Sequence, residues 1–251
     1  MRPTWQPAGI AASLALMLVG DVHAQAVAMP AAGNHSSPTV VDGSLLRPGV
    51  DTMIATMSAG SRTDTIGIGL QTLERATTAG RQTWLQVYRW FGAGGDRALD
   101  SLEMDAHTLR PIRQARYTDL GSVVLTYQEA EVVAVIRRTG GDSTLRLRLV
   151  PGVFSSSAVD PVMRALPLRV GFAHEAAFYY PFPAQLGVSS VRLAVTGEET
   201  VTARDGTPTP SCIVTAYLPG GESRLWVSKA TRAAVKMEVS EGGALIQFTF
   251  D

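Results

Sequence analysis

Residues 144–149 read Thr-Leu-Arg-Leu-Arg-Leu, so that three leucines alternate with polar or charged side chains. Successive side chains of an extended strand point to opposite faces, and this stretch therefore predicts a strand with one apolar and one water-exposed face. Residues 191–196, Val-Arg-Leu-Ala-Val-Thr, repeat the alternation. The pattern indicates an antiparallel sheet that turns one face towards a core.

Alternation of this kind covers most of the chain and is interrupted by turn residues. Glycine-rich breaks such as residues 92–95 and 139–141 supply the positive φ angles that tight hairpins need, which predicts that sequential strands are neighbours. The predicted strands comprise residues 52–58, 64–75, 82–91, 96–105, 112–118, 122–128, 132–138, 144–149, 190–204, 210–218, 223–228, 232–240 and 244–250.

Residues 157–166 (Ser-Ala-Val-Asp-Pro-Val-Met-Arg-Ala-Leu) break the alternation and predict a short helix. Ser and Asp are candidate N-caps, a proline stands at the first turn, and Pro167 ends the segment. Residues 168–183, which follow, are the densest aromatic stretch of the chain. We expect a mainly β fold, a single curved antiparallel sheet or half-barrel, with this helix and the aromatic stretch as its lid.

The first 24 residues predict a cleavable export signal. Arg2 precedes the apolar run 10–19, and Val-His-Ala at 22–24 offers a cleavage site after Ala24. The run is too short to span a bilayer, and no cysteine stands at the cleavage point, so we expect a periplasmic product with no membrane span and no lipid anchor. Residues 25–47 are expected to form a flexible leader, and residues 48–251 a single domain.

Charge and cysteine content narrow the choice of partners. The 22 Lys and Arg residues balance the 22 Asp and Glu residues, and a neutral chain has no electrostatic reason to bind nucleic acid. Cys212 is the only cysteine, so no internal disulfide can form. It shares a strand side with Val214 and Ala216, which predicts a buried, inert thiol.

Catalytic motifs are incomplete in this chain. Gly141-Asp142-Ser143 matches one esterase class, but the Asp-x-x-His that would supply its base is absent. His174-Glu175 begins like a zinc-protease helix, yet Phe178 stands where the second ligand belongs. We therefore expect a protein that is not an enzyme, with no metal site and no cofactor.

Several short segments share residue types and spacing with one protein family. They are residues 105–111 (DAHTLRP), 165–168 (ALPL) with Gly171, 195–201 (VTGEETV), 212–214 (CIV), and 225–232 (LWVSKATR) with 235–236 (VK). In this order, between about Asp100 and Val239, they resemble domain-of-unknown-function family 3108, exported bacterial proteins grouped with the lipoprotein-carrier-like (LolA/LolB-like) half-barrels. The resemblance implies a curved antiparallel sheet around an apolar hollow in the periplasm, and it transfers no activity.

Large apolar and aromatic side chains could fill a core or line such a hollow, and the sequence leaves both alternatives open. The candidate ligand-binding residues are Trp84, Tyr88, Trp90, Met163, Leu166, Phe172, Phe178, Tyr180 and Trp226.

The preferred hypothesis is a non-enzymatic periplasmic protein that binds a lipid-like or other hydrophobic small molecule in the concave face of the sheet. One alternative is a structural or interaction protein of the cell envelope, whose core is filled by side chains and whose sheet edge binds a protein partner. An outer-membrane β-barrel is less favoured, because Asp251 replaces the aromatic last residue expected of that class.

Overall fold

The computed structural model describes residues 40–182, 185–218, 221–241 and 243–251. The expected export signal, residues 1–24, and residues 25–39 of the expected leader lie outside the described residues.

Fifteen strands of the described ranges form one sheet. In chain order they are β1 Gly49–Ala59, β2 Arg62–Thr78, β3 Arg81–Gly92, β4 Arg97–Asp105, β5 Pro111–Thr118, β6 Gly121–Tyr127, β7 Glu131–Arg137, β8 Ser143–Arg148, β9 Phe154–Ser155, β10 Ala173–Phe182, β11 Gln185–Thr202, β12 Pro208–Leu218, β13 Gly221–Ser228, β14 Ala234–Glu241 and β15 Ala244–Phe250.

Strand order in the sheet is β8-β7-β6-β5-β4-β3-β2-β1-β15-β14-β13-β12-β11-β10-β9. Strands that are consecutive in the chain pair antiparallel, except that β9 and β10 run parallel and that β8 and β9 lie at opposite edges of the sheet. The first and last strands pair in the middle of the sheet, where Met53 lies opposite Phe250. The prediction of one curved antiparallel sheet is confirmed. No helix of the described part of the chain is both long and apolar enough to cross a membrane.

The alternating residues of the strands produce one continuous apolar face. Met53 and Ala55 of β1 are buried together with Leu225 and Val227 of β13, two residues apart in each strand. Register shifts after Ala55 and Val195 mark bulges, which increase the local bend of an antiparallel pair. The sheet therefore curves around the side chains of this face.

The predicted helix lies inside the curve. A 3-10 turn, Ser156–Ala158, leads into α1, Val159–Arg164, and Pro167 follows shortly after the helix. Val162, Met163 and Leu166 are completely buried in the main core. The helical segment thus fills the concave side of the sheet, as the sequence indicated.

The aromatic stretch after the helix is not part of a lid, which corrects one expectation. Residues 173–182 form strand β10, which pairs with β11. Phe178 and Tyr180 enter the main core, whereas Tyr179 points to a second cluster with Leu125 and Val132. Because both faces of β10 are buried at Phe178, Tyr179 and Tyr180, its sequence lacks the apolar–polar alternation by which the other strands were recognised.

The described end of the expected leader is packed, which corrects a second expectation. Residues 43–45 form a 3-10 turn, and Val41 and Leu46 are buried in the main core. The Trp84 indole donates a hydrogen bond to the Gly43 carbonyl oxygen at 3.0 Å. Residues 41–46 therefore belong to the folded domain, whose predicted beginning near Pro48 was too late.

The stretch that first indicated the fold lies in β8, an edge strand. Leu145 is 37% exposed there, because β8 pairs with β7 on one side only and few other residues cover it. Near this edge, Tyr127 meets Tyr179 of β10 edge to face, with ring centroids 6.1 Å apart. This contact and the second cluster bring strands β6 and β7 against β10.

Candidate functional site

A partly open cavity of about 170 Å³ lies between the helical segment and the concave face. Its walls come from strands of both halves of the sheet and from the segment 156–160. The apolar lining consists of Met53, Ala98, Leu102, Val159, Met237, Phe248 and Phe250. The polar and charged lining consists of Gln71, Gln86, Tyr88, Asp100, Arg116, Ser156, Ser157 and Asp160.

Four of the polar residues form a row across the sheet. Gln71 of β2 lies opposite Tyr88 of β3, Tyr88 opposite Asp100 of β4, and Asp100 opposite Arg116 of β5. Residues in register on adjacent strands point to the same face, so the row crosses the floor of the cavity. The concave face of the sheet therefore has a polar stripe at this place.

Asp100 connects this stripe to the helical segment. The Ser157 hydroxyl donates to Asp100 Oδ2 at 2.8 Å, and Gln114 Nε2 donates to Asp100 Oδ1 at 3.0 Å. Burial raises the pKa of Asp100, while the nearby charge of Arg116 and these two hydrogen bonds act in the opposite direction. Ser155 Oγ also donates to Gln114 Oε1, at 2.8 Å. These contacts fasten the start of the helical segment to β4 and β5.

A second charged group lies at the other end of the stripe. Gln71 Nε2 donates to Asp160 Oδ2 at 2.8 Å, and Arg164 Nη1 lies 3.4 Å from the same oxygen. Asp51 Oδ2 lies 3.9 Å from Arg164 Nη1. Burial raises the pKa of Asp51 to about 6, with Asp160 adding to the increase and Arg164 opposing it. Here α1 is held against β1 and β2.

Three buried oxygens of the cavity lining have no hydrogen-bond partner within the described chain: Gln86 Oε1, Ser156 Oγ and Asp160 Oδ1. Gln86 and Ser156 are only 6% and 3% exposed. A buried polar group without a partner costs about 1–3 kcal/mol of folding free energy, and such groups are rare in folded proteins. Three side chains of the cavity lining thus have hydrogen-bonding capacity that the described residues do not use.

The structure places one of the nine sequence-predicted ligand residues, Tyr88, on the cavity wall. The other core members of the set do not line it: Trp84, Trp90, Met163, Leu166, Phe178 and Tyr180 are buried in the main core, and Phe172 packs against that core. Burial raises the pKa of Tyr180 to about 12. Their role in ligand binding stays a prediction.

Trp226 lies on the other face of the sheet. Its neighbours Leu225 and Val227 enter the core, so alternation directs the indole outward. There it donates to Glu199 Oε2 at 3.0 Å, and the ammonium of Lys236 lies 4.6 Å from the ring centroid. The prediction that Trp226 lines the hollow on the concave face is therefore wrong.

Sequence reasoning missed the polar stripe. Gln71, Asp100 and Arg116 occupy inward positions of their strands and line the cavity, but none of them was among the predicted ligand-binding residues. A polar residue at an inward position is the available signal, but strand register is needed to show that these positions meet.

The cavity holds no complete catalytic arrangement among the residues that form it. Neither His107 nor His174 lines it, and Ser157 donates its proton to a carboxylate instead of a histidine base. No group of three or more His, Cys, Asp or Glu side chains in the described ranges could hold a metal ion. Cys212 is buried, and burial raises its pKa. The arrangement can bind a small molecule and orient its polar end.

Comparison with known proteins gives a family and a fold. The family model described as "Protein of unknown function (DUF3108)" matches residues 54–250. The crystal structure of a β-barrel-like protein of domain of unknown function DUF1849 from Brucella abortus is similar with a TM-score of 0.55 at 11% identity, over 82% of this chain and 96% of that one. This similarity concerns the fold alone.

A second solved structure, a "putative lipoprotein" from Parabacteroides distasonis, covers 84% of this chain and 97% of its own at 9% identity, with a TM-score of 0.30. A similarity this low supports no argument. No curated protein is significantly similar to the chain.

Proposed function

The chain belongs to DUF3108, a family of unknown function, and on that premise we propose that it is a non-enzymatic exported protein that binds a small hydrophobic or amphipathic molecule in the cavity beneath the helical segment. The observation that carries the proposal is the cavity itself, with apolar side chains on most of its surface and three buried oxygens without partners. Binding pockets for small molecules combine these two properties.

Cavity size limits the ligand. A dry protein cavity of about 150 Å³ takes up benzene, whereas pockets for drug-sized ligands measure about 300–1,000 Å³. The volume of about 170 Å³ therefore favours a single ring or a short acyl group over a long lipid chain. Apolar burial of that extent supports weak, reversible binding.

Export is the second part of the proposal. It is supported by the sequence of residues 1–24, with an apolar run followed by a small-residue cleavage site. Edman sequencing of protein recovered from the periplasm tests it: we expect the mature chain to begin at Gln25. Recovery of the full-length chain from the cytoplasm would refute the export assignment.

Ligand binding is tested by extracting the purified protein with organic solvent and analysing the extract by mass spectrometry. We expect a small molecule at near-stoichiometric amount, and we expect the emptied protein to bind a hydrophobic fluorescent probe. The substitution Met237→Trp fills the cavity and is expected to abolish probe binding.

Met57→Trp is the matched control. Met57 and Met237 are both partly buried methionines packed against the main core, but Met57 does not line the cavity. Loss of probe binding in Met237→Trp with retention in Met57→Trp assigns the binding to this cavity. Equal binding by both variants, or an empty protein that ignores the probe, would contradict the proposal.

The alternative, an envelope interaction protein, is favoured by the outer edge of β8. Within the described residues no strand pairs with this edge, which leaves backbone N–H and C=O groups available to a partner strand. The backbone N–H of Leu149 bonds to the Ala130 carbonyl oxygen, so by alternation the N–H of Thr144 points away from β7. Substituting Thr144 by Pro would prevent strand addition there without touching the cavity. Capture of one envelope protein by the native chain and not by Thr144→Pro would support this alternative.

A further inference from the structure

We propose that the cavity selects ligands that carry a hydrogen-bond-donating, cationic amino group on a small apolar body. This inference rests on the proposed binding function and specifies the chemistry of the polar end of the ligand. It is carried by the types of oxygen left without partners around the cavity and by the balance of charges there.

The three oxygens without partners in the cavity lining favour a ligand that donates hydrogen bonds. Gln86 Oε1 and the carboxylate oxygen Asp160 Oδ1 can only accept hydrogen bonds, whereas Ser156 Oγ can donate or accept. A primary ammonium offers three donors and no acceptor, so it matches this set. A ligand carboxylate offers acceptors alone, so Gln86 Oε1 and Asp160 Oδ1 would both remain without a hydrogen-bond donor.

The charges act in the same direction. Two carboxylates, Asp100 and Asp160, line the cavity with one guanidinium, Arg116. When the adjacent Asp51 and Arg164 are included and all five groups are ionised, three carboxylates face two guanidiniums, and one negative charge is in excess. A ligand cation restores the balance, and the reduced water content of the site increases the effect.

Each acceptor comes from a different part of the fold. Gln86 lies on β3, Ser156 on the 3-10 turn and Asp160 in the first turn of α1. The other oxygen of Asp160 is held by Gln71 and Arg164, which fixes the carboxylate and leaves Oδ1 for the ligand. The Asp160 carboxylate is therefore preorganised, because contacts within the protein position it before a ligand binds.

The apolar walls determine the rest of the ligand. Phe248, Phe250 and Met237 face the segment that carries Ser156 and Asp160. With the cavity volume of about 170 Å³, they leave room for one ring or a short chain attached to the amino group. Benzylamine, benzyl alcohol, toluene and benzoate have nearly the same shape and differ at the polar end, so they form a matched probe series.

Isothermal titration calorimetry of the emptied full mature chain with the four probes tests the inference. We expect benzylamine to bind at least 10-fold more tightly than toluene, benzyl alcohol to lie between them, and benzoate to bind most weakly. If toluene binds and benzylamine gains nothing, or if benzoate binds most tightly, the head-group inference is overturned while the binding function stands. If none of the four binds, both are overturned.

Substitutions assign the preference to particular atoms. Asp160→Asn is expected to reduce the benzylamine-to-toluene affinity ratio at least 10-fold, with toluene affinity within 3-fold of the native value. Gln86→Leu and Ser156→Ala are each expected to reduce the benzylamine-to-toluene affinity ratio at least 3-fold. If Asp160→Asn does not fold, these two variants test the inference. An unchanged ratio in these two variants would overturn the assignment.

Glu103→Gln is the matched control for the loss of a carboxylate. Glu103 Oε1 is also a buried oxygen without a partner, but it lies outside the cavity. The control is expected to leave the benzylamine-to-toluene ratio unchanged. A reduction equal to that in Asp160→Asn would mean that the preference arises from overall charge and would overturn the inference.

Discussion

Arg164 and Arg232 donate hydrogen bonds to each other's backbone. Arg164 Nε donates to the Arg232 carbonyl oxygen at 2.7 Å, and Arg232 Nη1 donates to the Arg164 carbonyl oxygen at 2.8 Å and to that of Leu166 at 2.7 Å. These bonds join the end of α1 to the turn between β13 and β14. Together with the Ser157–Asp100 contact at the other end, they make the helical segment a bridge between the two halves of the sheet.

Removal of this reciprocal contact is expected to destabilise the protein. Arg232→Ala leaves two carbonyl oxygens at the helix end without their charged donor, which should lower the free energy of unfolding by about 2–4 kcal/mol. Urea denaturation followed by tryptophan fluorescence measures the change. Arg169→Ala, at an exposed arginine close to α1, is the control and should change stability by no more than about 0.5 kcal/mol.

Arg232→Gly separates two contributions to stability, that of the side-chain hydrogen bonds and that of the left-handed backbone conformation. Arg232 has a φ of 61°, a conformation that glycine adopts at little cost. Arg232→Gly should therefore be less destabilised than Arg232→Ala by about 1 kcal/mol. Equal stability of the two variants would show that the left-handed conformation contributes nothing.

Asp51 should make stability depend on pH. Burial in the folded protein raises the pKa of the Asp51 carboxyl from 3.8 to about 6. The folded state therefore binds this proton more tightly than the unfolded chain does. The stabilisation linked to the neutral carboxyl is complete below about pH 4 and is lost as the pH rises to about 6. In Asp51→Asn this loss is absent.

The free energy of unfolding of Asp51→Asn, relative to the native protein, should thus increase between about pH 4 and pH 6, by at most about 3 kcal/mol. Urea denaturation of both proteins at half-unit pH steps measures the difference. Parallel stability curves would contradict the elevated pKa of Asp51.

Gly43→Ala tests whether the segment before β1 belongs to the domain. A Cβ at Gly43 would collide with the Ala106 carbonyl oxygen and lie 2.8 Å from Leu109 Cδ2. We expect a loss of about 1–3 kcal/mol, because the surrounding residues are buried and cannot move freely. Gly49→Ala, where nothing lies within 4 Å of the added carbon, is the control. Native stability of Gly43→Ala would mean that this segment packs loosely.

Two tyrosine substitutions should have opposite signs. The buried Tyr180 hydroxyl has no partner among the described residues, so Tyr180→Phe should be neutral or stabilising by up to about 1 kcal/mol. The Tyr127 hydroxyl donates to Gln114 Oε1 at 3.3 Å, and Tyr127→Phe should cost about 1 kcal/mol. Thermal unfolding monitored by circular dichroism compares both with the native protein. A clear loss in Tyr180→Phe would indicate a bound partner at that hydroxyl.

The strands were predictable where one face is buried and the other is wet, because the resulting alternation is visible in sequence. Strand β10 was not, since Phe178 and Tyr179 point to different clusters and both are buried. The packing of residues 41–46 was also missed: these short polar and apolar residues show no period, and their burial depends on distant partners such as Trp84.

The candidate site was predictable only in outline. A concave apolar face beneath one helix followed from the pattern, and Tyr88 was included in the predicted lining. The stripe from Gln71 to Arg116 depends on the register of four strands, which no local pattern determines.

The order of the strands has a consequence for how the chain folds. From β1 to β8 and from β10 to β15 every pairing joins sequential strands, so each arm of the sheet can assemble from local hairpins. The pairing of β1 with β15 closes a loop of nearly 200 residues, from Met53 to Phe250, and has the largest entropy cost of any strand pairing in the sheet. We expect that joining of the two arms to limit the folding rate, and a disulfide or covalent linker between β1 and β15 to accelerate it.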